Sequence, residues 1–198
     1  MVTIWPKIWE NIHNQFFTEE IKSTVWSQIH LNFYTTYNYN KWHNTLNPCP
    51  LCNKIPESIY HIILYCNFTV NAWYKLEKTL HSVLPKSISS FEQAFGRQPT
   101  TKREEPATIL RNWITFSLRH HIMKEERKAY YRGNYKNQNI DIFLQQFQYT
   151  LHQELQIKFR QYKARGLLSI FEKIALVGNV LGEIADDKLN CFEFKLTD

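Results

Sequence analysis

The sequence predicts an all-α protein, with a small helical domain organised around one pinned loop and a C-terminal helical bundle. Three observations predict it. Apolar residues recur every three or four positions in several separate windows. Aromatic residues make up 15% of the 198 positions while only 5 are Gly, which suits helices packed through large rings better than a β-barrel. Hydrophobic residues reach 43%, enough for a real core. Charged residues make up 21% with both signs interspersed, so collagen-like, low-complexity and wholly disordered classes are excluded. No run of about 18 apolar residues is present, so no membrane-spanning helix is expected. Met1-Val2-Thr3-Ile4-Trp5-Pro6 lacks a charged start, an apolar run and a small-residue cleavage site. An intracellular location, nuclear or cytoplasmic and not secreted, follows as an expectation.

The elements follow in order. Ile4, Trp5, Ile8, Trp9, Ile12 and Phe16 carry helical spacing over 4–16, with Thr3 as a cap and Pro6 in the first turn. Thr18 reads as a second N-cap before Glu19 and Glu20, then Ile21, Val25, Ile29 and Phe33 recur every four residues. Tyr34 to Asn47 is Asn/Tyr/Thr-rich and reads as irregular. Residues 48–56 contain three prolines and cannot be regular. A short helix is expected from Glu57. Val70, Trp73, Leu76, Leu80 and Val83 stripe a helix that stops before Pro85. Residues 85–106, rich in Ser, Thr and Pro, read as a linker between a domain 1–84 and a basic helical region 107–198. Within that region Ile109, Trp113, Phe116, Leu118 and Ile122 mark one helix to about 131, ended by Arg132-Gly133-Asn134. Ile140, Phe143, Leu144, Phe147, Leu151, Leu155, Phe159 and Tyr162 mark the next, with Gly166 as its C′ residue. A last helix is expected over about 167–185, and Ile184-Ala185-Asp186-Asp187 reads as its acidic end. Trp5, Trp9, Trp26 and Trp73 are expected in the core.

Three of the four cysteines fall within 18 residues, in the pattern Cys49-x2-Cys52-x8-His61-x4-Cys66. In a reducing compartment disulfides are disfavoured and metal binding gains weight. Three thiolates and one imidazole supply the four ligands of a structural Zn²⁺ site, and with every position filled by protein no place remains for a reactive water. The fold class thus becomes a helical domain built on one structural zinc knuckle, 48–66. On an ideal helix His61 and Cys66 would stand about 140° apart, so Cys66 is expected at or beyond the helix end. Glu57, four residues before His61, can accept that histidine's other ring N–H; the alternative is an exposed acid at a helix N-terminus. Pro48-Cys49-x2-Cys52 also fits half of a zinc deaminase signature. None of the upstream histidines (His13, His30, His43) is followed by the required H-x-E glutamate.

Pro48-Cys49-Pro50-Leu51-Cys52, then Glu57 to Cys66 with His61 inside, then Trp73, resembles the zinc-binding domain that follows the polymerase in non-LTR (LINE-type) retrotransposon reverse transcriptases. The resemblance is specific over about residues 40–75. It implies that Cys49, Cys52, His61 and Cys66 are the ligands and that the module helps hold template RNA or target DNA. It implies a stand-alone remnant or fragment, because the chain has no room for an endonuclease or polymerase. Asp186-Asp187 lacks the aromatic of the polymerase Y/F-x-D-D and lies after the zinc cluster instead of before it.

The net charge of +6 is uneven: residues 1–96 carry +1, 97–165 carry +8 and 166–198 carry −3. Arg111, Arg119, Lys124, Arg127, Lys128, Arg132 and Lys136 interleave with Trp113, Tyr130, Tyr131 and Tyr135. Cations meet phosphates and rings stack on unpaired bases, so these are the candidate nucleic-acid contacts; a solvated helix face is the alternative. No Gly-rich phosphate loop, nucleophile context or carboxylate pair is present. The expectation is a non-catalytic module, with RNA or DNA as partner and no small-molecule substrate or membrane. The second reading is a protein-interaction module that docks on a reverse transcriptase.

Overall fold

The computed structural model describes residues 5–31, 35–81, 89–132 and 139–193. Eight α-helices are present among them: α1 (Trp5–Ile12), α2 (Glu19–Ile29), α3 (Thr36–His43), α4 (Asn67–Thr79), α5 (Ser90–Phe95), α6 (Glu105–Arg132), α7 (Ile140–Ala164) and α8 (Leu168–Ala175). A π-helical turn, His61–Tyr65, precedes α4, and a 3-10 turn, Val177–Asn179, follows α8. Strands β1 (Gly182–Ala185) and β2 (Lys188–Cys191) form an antiparallel hairpin in which Ala185 pairs with Lys188. Among the described residues the fold is all-α apart from this hairpin.

Helix α6 is the axis of the fold. Leu110, Trp113, Ile114, Phe116 and Leu118 are fully buried, and every residue from Arg111 to Arg119 is inaccessible. Such a helix is a core helix, with neighbours on all sides. α2, α7 and α8 pack on it. Phe16 meets Trp113 edge-on at 5.4 Å between ring centroids and Phe17 meets Phe116 at 5.6 Å. α4 packs on α7 through Phe68 and Phe143, 4.9 Å apart, beside a Lys75–Asp141 ion pair of 2.6 Å. One hydrophobic cluster therefore runs from α1 to β2.

Local signals explain most element ends. Thr18 caps α2 by accepting from the Ile21 N–H. Asn139 caps α7, and Gly166 ends it at φ +68° with bonds from Gly166 N–H to Lys163 and from Leu167 N–H to Tyr162. That pair is a Schellman closure.

Four expectations change. Within the segment 34–47, expected to be irregular, Thr36–His43 forms α3. Thr35 caps it, and the Asn40 side chain accepts from Thr45 and from Asn47 N–H, so side-chain bonds supply what intrinsic propensity does not. Within 85–106, Ser89 and Glu92 form a capping box that starts α5. Arg97 N–H then donates to Asn112, whose amide donates back to the Arg97 carbonyl, fastening this segment to α6. The helix expected to 185 stops at Ala175, and Asp186 (φ 50°) and Asp187 (φ 63°) form the tight turn of the hairpin. Trp5 and Trp26 are about half exposed, whereas Trp73 is in the core. Thr3, Ile4, Phe33, Tyr34, Val83, Pro85, Gly133 and Asn134 lie outside the described residues. Among the described residues no helix is long and apolar enough to cross a membrane.

Two predictions follow. Gly96 holds φ +76°, and a Cβ there would stand 3.0 Å from the Phe116 ring, whereas one on Gly166 would meet nothing. Gly166→Ala should cost about 1 kcal/mol, the left-handed penalty alone. Gly96→Ala should cost more, read from urea midpoints; equal losses would contradict the packing described. His121 lies buried between Phe143 and Phe147, and burial pushes its imidazole down to about 4 against the attraction of Glu125. Its stabilising contribution is complete above the unfolded value near 6.5 and is lost as pH falls from there towards 4. The loss approaches about 3 kcal/mol at the acid end. His121→Gln should flatten the stability profile between pH 6.5 and 5 in zinc-containing buffer; an unchanged slope would contradict it.

Candidate metal centre

Three chain segments build the centre. The first is the turn 49–55, closed by Asn53 N–H to the Cys49 carbonyl and Cys49 N–H to the Ile55 carbonyl, both 2.8 Å. Asn53 takes φ 52°, a left-handed position that asparagine tolerates. The second is the π-turn that carries His61. The third is the junction with α4, where Cys66 is extended (φ −65°, ψ 125°) and serves as the N-cap. The Cys66 N–H returns to the His61 carbonyl five residues back. A turn closed from i to i+5 carries more residues than an α-turn, so His61 and Cys66 come closer to one face than an α-helix would allow.

The ligand atoms of Cys49, Cys52, His61 and Cys66 all lie within 4.8 Å of one another. Cys49 Sγ and Cys66 Sγ are 4.0 Å apart, and Cys52 Sγ lies 3.4 Å from His61 Nε2. The edge of a tetrahedron with Zn–S bonds of about 2.3 Å is roughly 3.8 Å, so the spacing fits zinc. Cys49 and Cys66 are fully buried, Cys52 is half-buried and His61 is buried. No cysteine is in a disulfide.

Backbone amides prepare the sulfurs for negative charge. The backbone amides of Cys52 beside Cys49, of Lys54 beside Cys52, and of Phe68 and Thr69 beside Cys66 favour the thiolate forms. The Cys66 thiol is drawn down, first by the hydrogen bond from Cys49, then by His61 and those two amides, against burial. A thiolate seated on a helix N-terminus is a ready metal ligand. The four residues form a structural zinc site. Bound there, the ion would cross-link the turn, the π-turn and α4.

Glu57 acts elsewhere than expected. Its Oε1 accepts from the Thr36 N–H at 3.2 Å, its own N–H donates to Thr36 Oγ1 at 2.9 Å, and its carbonyl accepts from Tyr37 N–H at 3.0 Å. It is fully buried and clamps the start of α3, while His61 Nδ1 has no hydrogen-bond partner among the described residues. The hydrogen bond expected between Glu57 and His61 is not made: Oε1 serves the amide of Thr36, in an element that was expected to be irregular, and Glu57 Oε2 has no partner among the described residues.

The candidate nucleic-acid residues do not share one surface. Arg111 is buried and ion-paired with Glu92 at 3.1 Å. Arg119 is buried, donating to the Gln93 and Ala94 carbonyls and to Gln28. Both leave the candidate set because α6 is enclosed where they stand. Lys128 pairs with Glu125, and Lys124 is exposed. Arg127 and Arg132 lie on α6, and Lys136 lies outside the described residues. Of the basic residues late in α7, Lys158 is buried over the Phe16 ring at 4.9 Å, Lys163 pairs with Asp187, and Arg160 and Arg165 are exposed.

Sequence reasoning missed a second set of exposed residues in the zinc domain. Tyr37, Lys41 and Trp42 on α3, Lys54 in the turn, Tyr60 and Tyr65 flanking His61, and Tyr74 on α4 are all exposed. The adjacency Lys41-Trp42-His43, off any apolar stripe, was the available signal.

Residues 2–73 match the family model described as zinc-binding in reverse transcriptase. No curated protein and no solved structure matches the chain. The matched stretch carries all four ligands.

Replacing Cys52 with Ser should lower bound zinc, measured by plasma mass spectrometry, and reduce helical circular dichroism as the π-turn and α4 lose their tie. Glu57→Gln should keep the zinc and cost about 1–2 kcal/mol through the α3 cap. Zinc loss in Glu57→Gln would contradict the division of roles.

Proposed function

We propose, on the premise that residues 2–73 are a reverse-transcriptase zinc-binding domain, that the protein is a non-catalytic nucleic-acid-binding module of non-LTR (LINE-type) retroelement descent. The observation that carries this reading is the set of exposed rings and cations in the zinc domain, Tyr37, Lys41, Trp42, Lys54, Tyr60 and Tyr65. Exposed aromatics offer stacking faces to unpaired bases, and lysines beside them meet the backbone. Lys124, Arg160 and Arg165 add exposed charge from α6 and α7. The acidic tail does not consume this charge: among the described ion pairs, Lys163–Asp187 alone joins residues 97–165 to 166–198. Zinc holds the aromatic-bearing segments rigid, and it performs no chemistry on the bound strand.

Docking on a polymerase is the second reading, favoured by exposed apolar side chains in the same domain, Leu46 at 91% and Ile55 at 55%. Filter binding with single-stranded RNA and DNA separates the two. The nucleic-acid reading predicts affinity that falls steeply between 50 and 200 mM salt. It also predicts a loss of about 1–3 kcal/mol in Trp42→Ala. No binding at low salt, or binding indifferent to salt and to Trp42, would move the assignment to the protein-docking reading.

A further inference from the structure

The four ligands of the metal centre are not equally sheltered. Cys49 and Cys66 are 0% exposed and His61 is 7% exposed. Cys52 is half-buried, and the four residues that follow it, Asn53, Lys54, Ile55 and Pro56, are all exposed. Leu51, before it in the chain, is buried. Among the three ligand sulfurs, solvent therefore meets the cluster at Cys52.

Thiolate character and access decide which cysteine reacts. A metal ligand must be a thiolate, so all three sulfurs have the character and access separates them. Lys54 also puts an exposed cation two residues from Cys52 in the same turn. A second sulfur stands ready to resolve what forms there. The sulfurs of Cys49 and Cys66 both lie within 4.8 Å of that of Cys52, and none of the three is in a disulfide. An S–S bond is about 2.05 Å long, so the sulfurs need to close by less than about 3 Å. An accessible thiolate beside a resolving cysteine is the arrangement of residues that respond to oxidants.

We propose that Cys52 is an oxidation site, where a hydroperoxide is reduced and Cys52 is joined to Cys49 or Cys66 in a disulfide. The Cys52 sulfur attacks the peroxide O–O bond. An S–O bond forms, the O–O bond breaks, and the departing oxygen takes a solvent proton and leaves as water or alcohol. A buried thiolate then attacks the Cys52 sulfur. The S–S bond forms, the S–O bond breaks, and hydroxide leaves and takes a second proton. The two sulfurs lose two electrons and the two peroxide oxygens gain them. The thiolate is the form that ligates a metal, so the site loses two of its four ligands and lets the ion go. A thiol reductant reverses the change. This inference rests on the zinc site and is independent of what the module binds.

Hydrogen peroxide added to the zinc-loaded full chain tests the site, in a Cys191→Ser background that leaves only the three cluster thiols. A chromogenic chelator follows released zinc, and peptide mass spectrometry locates the oxidised residues. Zinc content measured before oxidation separates a failure of the metal site from a failure of this proposal. Zinc should leave as a disulfide containing Cys52 appears, and dithiothreitol with added zinc should restore the loaded protein. In timed alkylation of the loaded chain with N-ethylmaleimide, Cys52 should be labelled before Cys49 and Cys66. Cys52→His keeps a fourth ligand and should slow peroxide-driven release roughly tenfold or more. Where that variant does not hold zinc, the order of alkylation decides. Labelling of Cys49 or Cys66 first, zinc retained through excess peroxide, release without a disulfide at Cys52, or undiminished release from Cys52→His would overturn the proposal.

Discussion

Three thiolates and one imidazole from three separate segments must meet within 4.8 Å, and the N-terminal third of the protein is shaped by that requirement. Three sulfurs placed so close would repel one another once ionised. The amides of Cys52, Lys54, Phe68 and Thr69, in the turn and at the start of α4, favour their ionised forms. A divalent cation completes the neutralisation, and its binding energy then becomes folding energy, on the order of 10–16 kcal/mol in small zinc modules. The π-turn belongs to the same solution. An α-helix through residues 61–66 would point His61 and Cys66 apart, and closing the turn five residues back removes that conflict.

The zinc domain does not stand apart from the rest. Phe16 and Phe17 reach the aromatic face of α6, Phe68 reaches α7, and Asn112 holds the segment around Arg97. This shared core explains why positive charge on α6 is a poor guide to a binding surface. Arg111 and Arg119 sit where α6 is enclosed, and their guanidinium groups answer a carboxylate and carbonyls of neighbouring segments. Exposed rings are found on α3 and in the turns of the zinc domain, while Lys124, Arg160 and Arg165 keep exposed charge on α6 and α7.

The four ligands and the long helices were legible in the sequence because their signals are local and dense. Close cysteine spacing has few competing explanations, and the apolar stripe of 140–162 with Asn139 and Gly166 at its ends specifies α7 almost unaided. α3 was not legible: Thr36-Tyr37-Asn38-Tyr39-Asn40 has weak helix propensity, and the bonds that hold it come from Glu57, Asn47 and Thr45. The hairpin escaped for a related reason, since Asp186-Asp187 takes left-handed angles usually signalled by Asn-Gly. Glu57 was expected to reach His61 and instead reaches Thr36, because the helix it clamps had not been foreseen. The charge surplus of 97–165 was real, and its direction was hidden by the absence of any one-sided stripe on α6.

X-ray absorption at the zinc edge of the purified protein tests the central claim most directly. The account predicts one tightly held zinc per chain with three sulfurs at about 2.3 Å and one nitrogen at about 2.0–2.1 Å. A shell dominated by oxygen and nitrogen, or a protein that folds fully without retaining the metal, would contradict it.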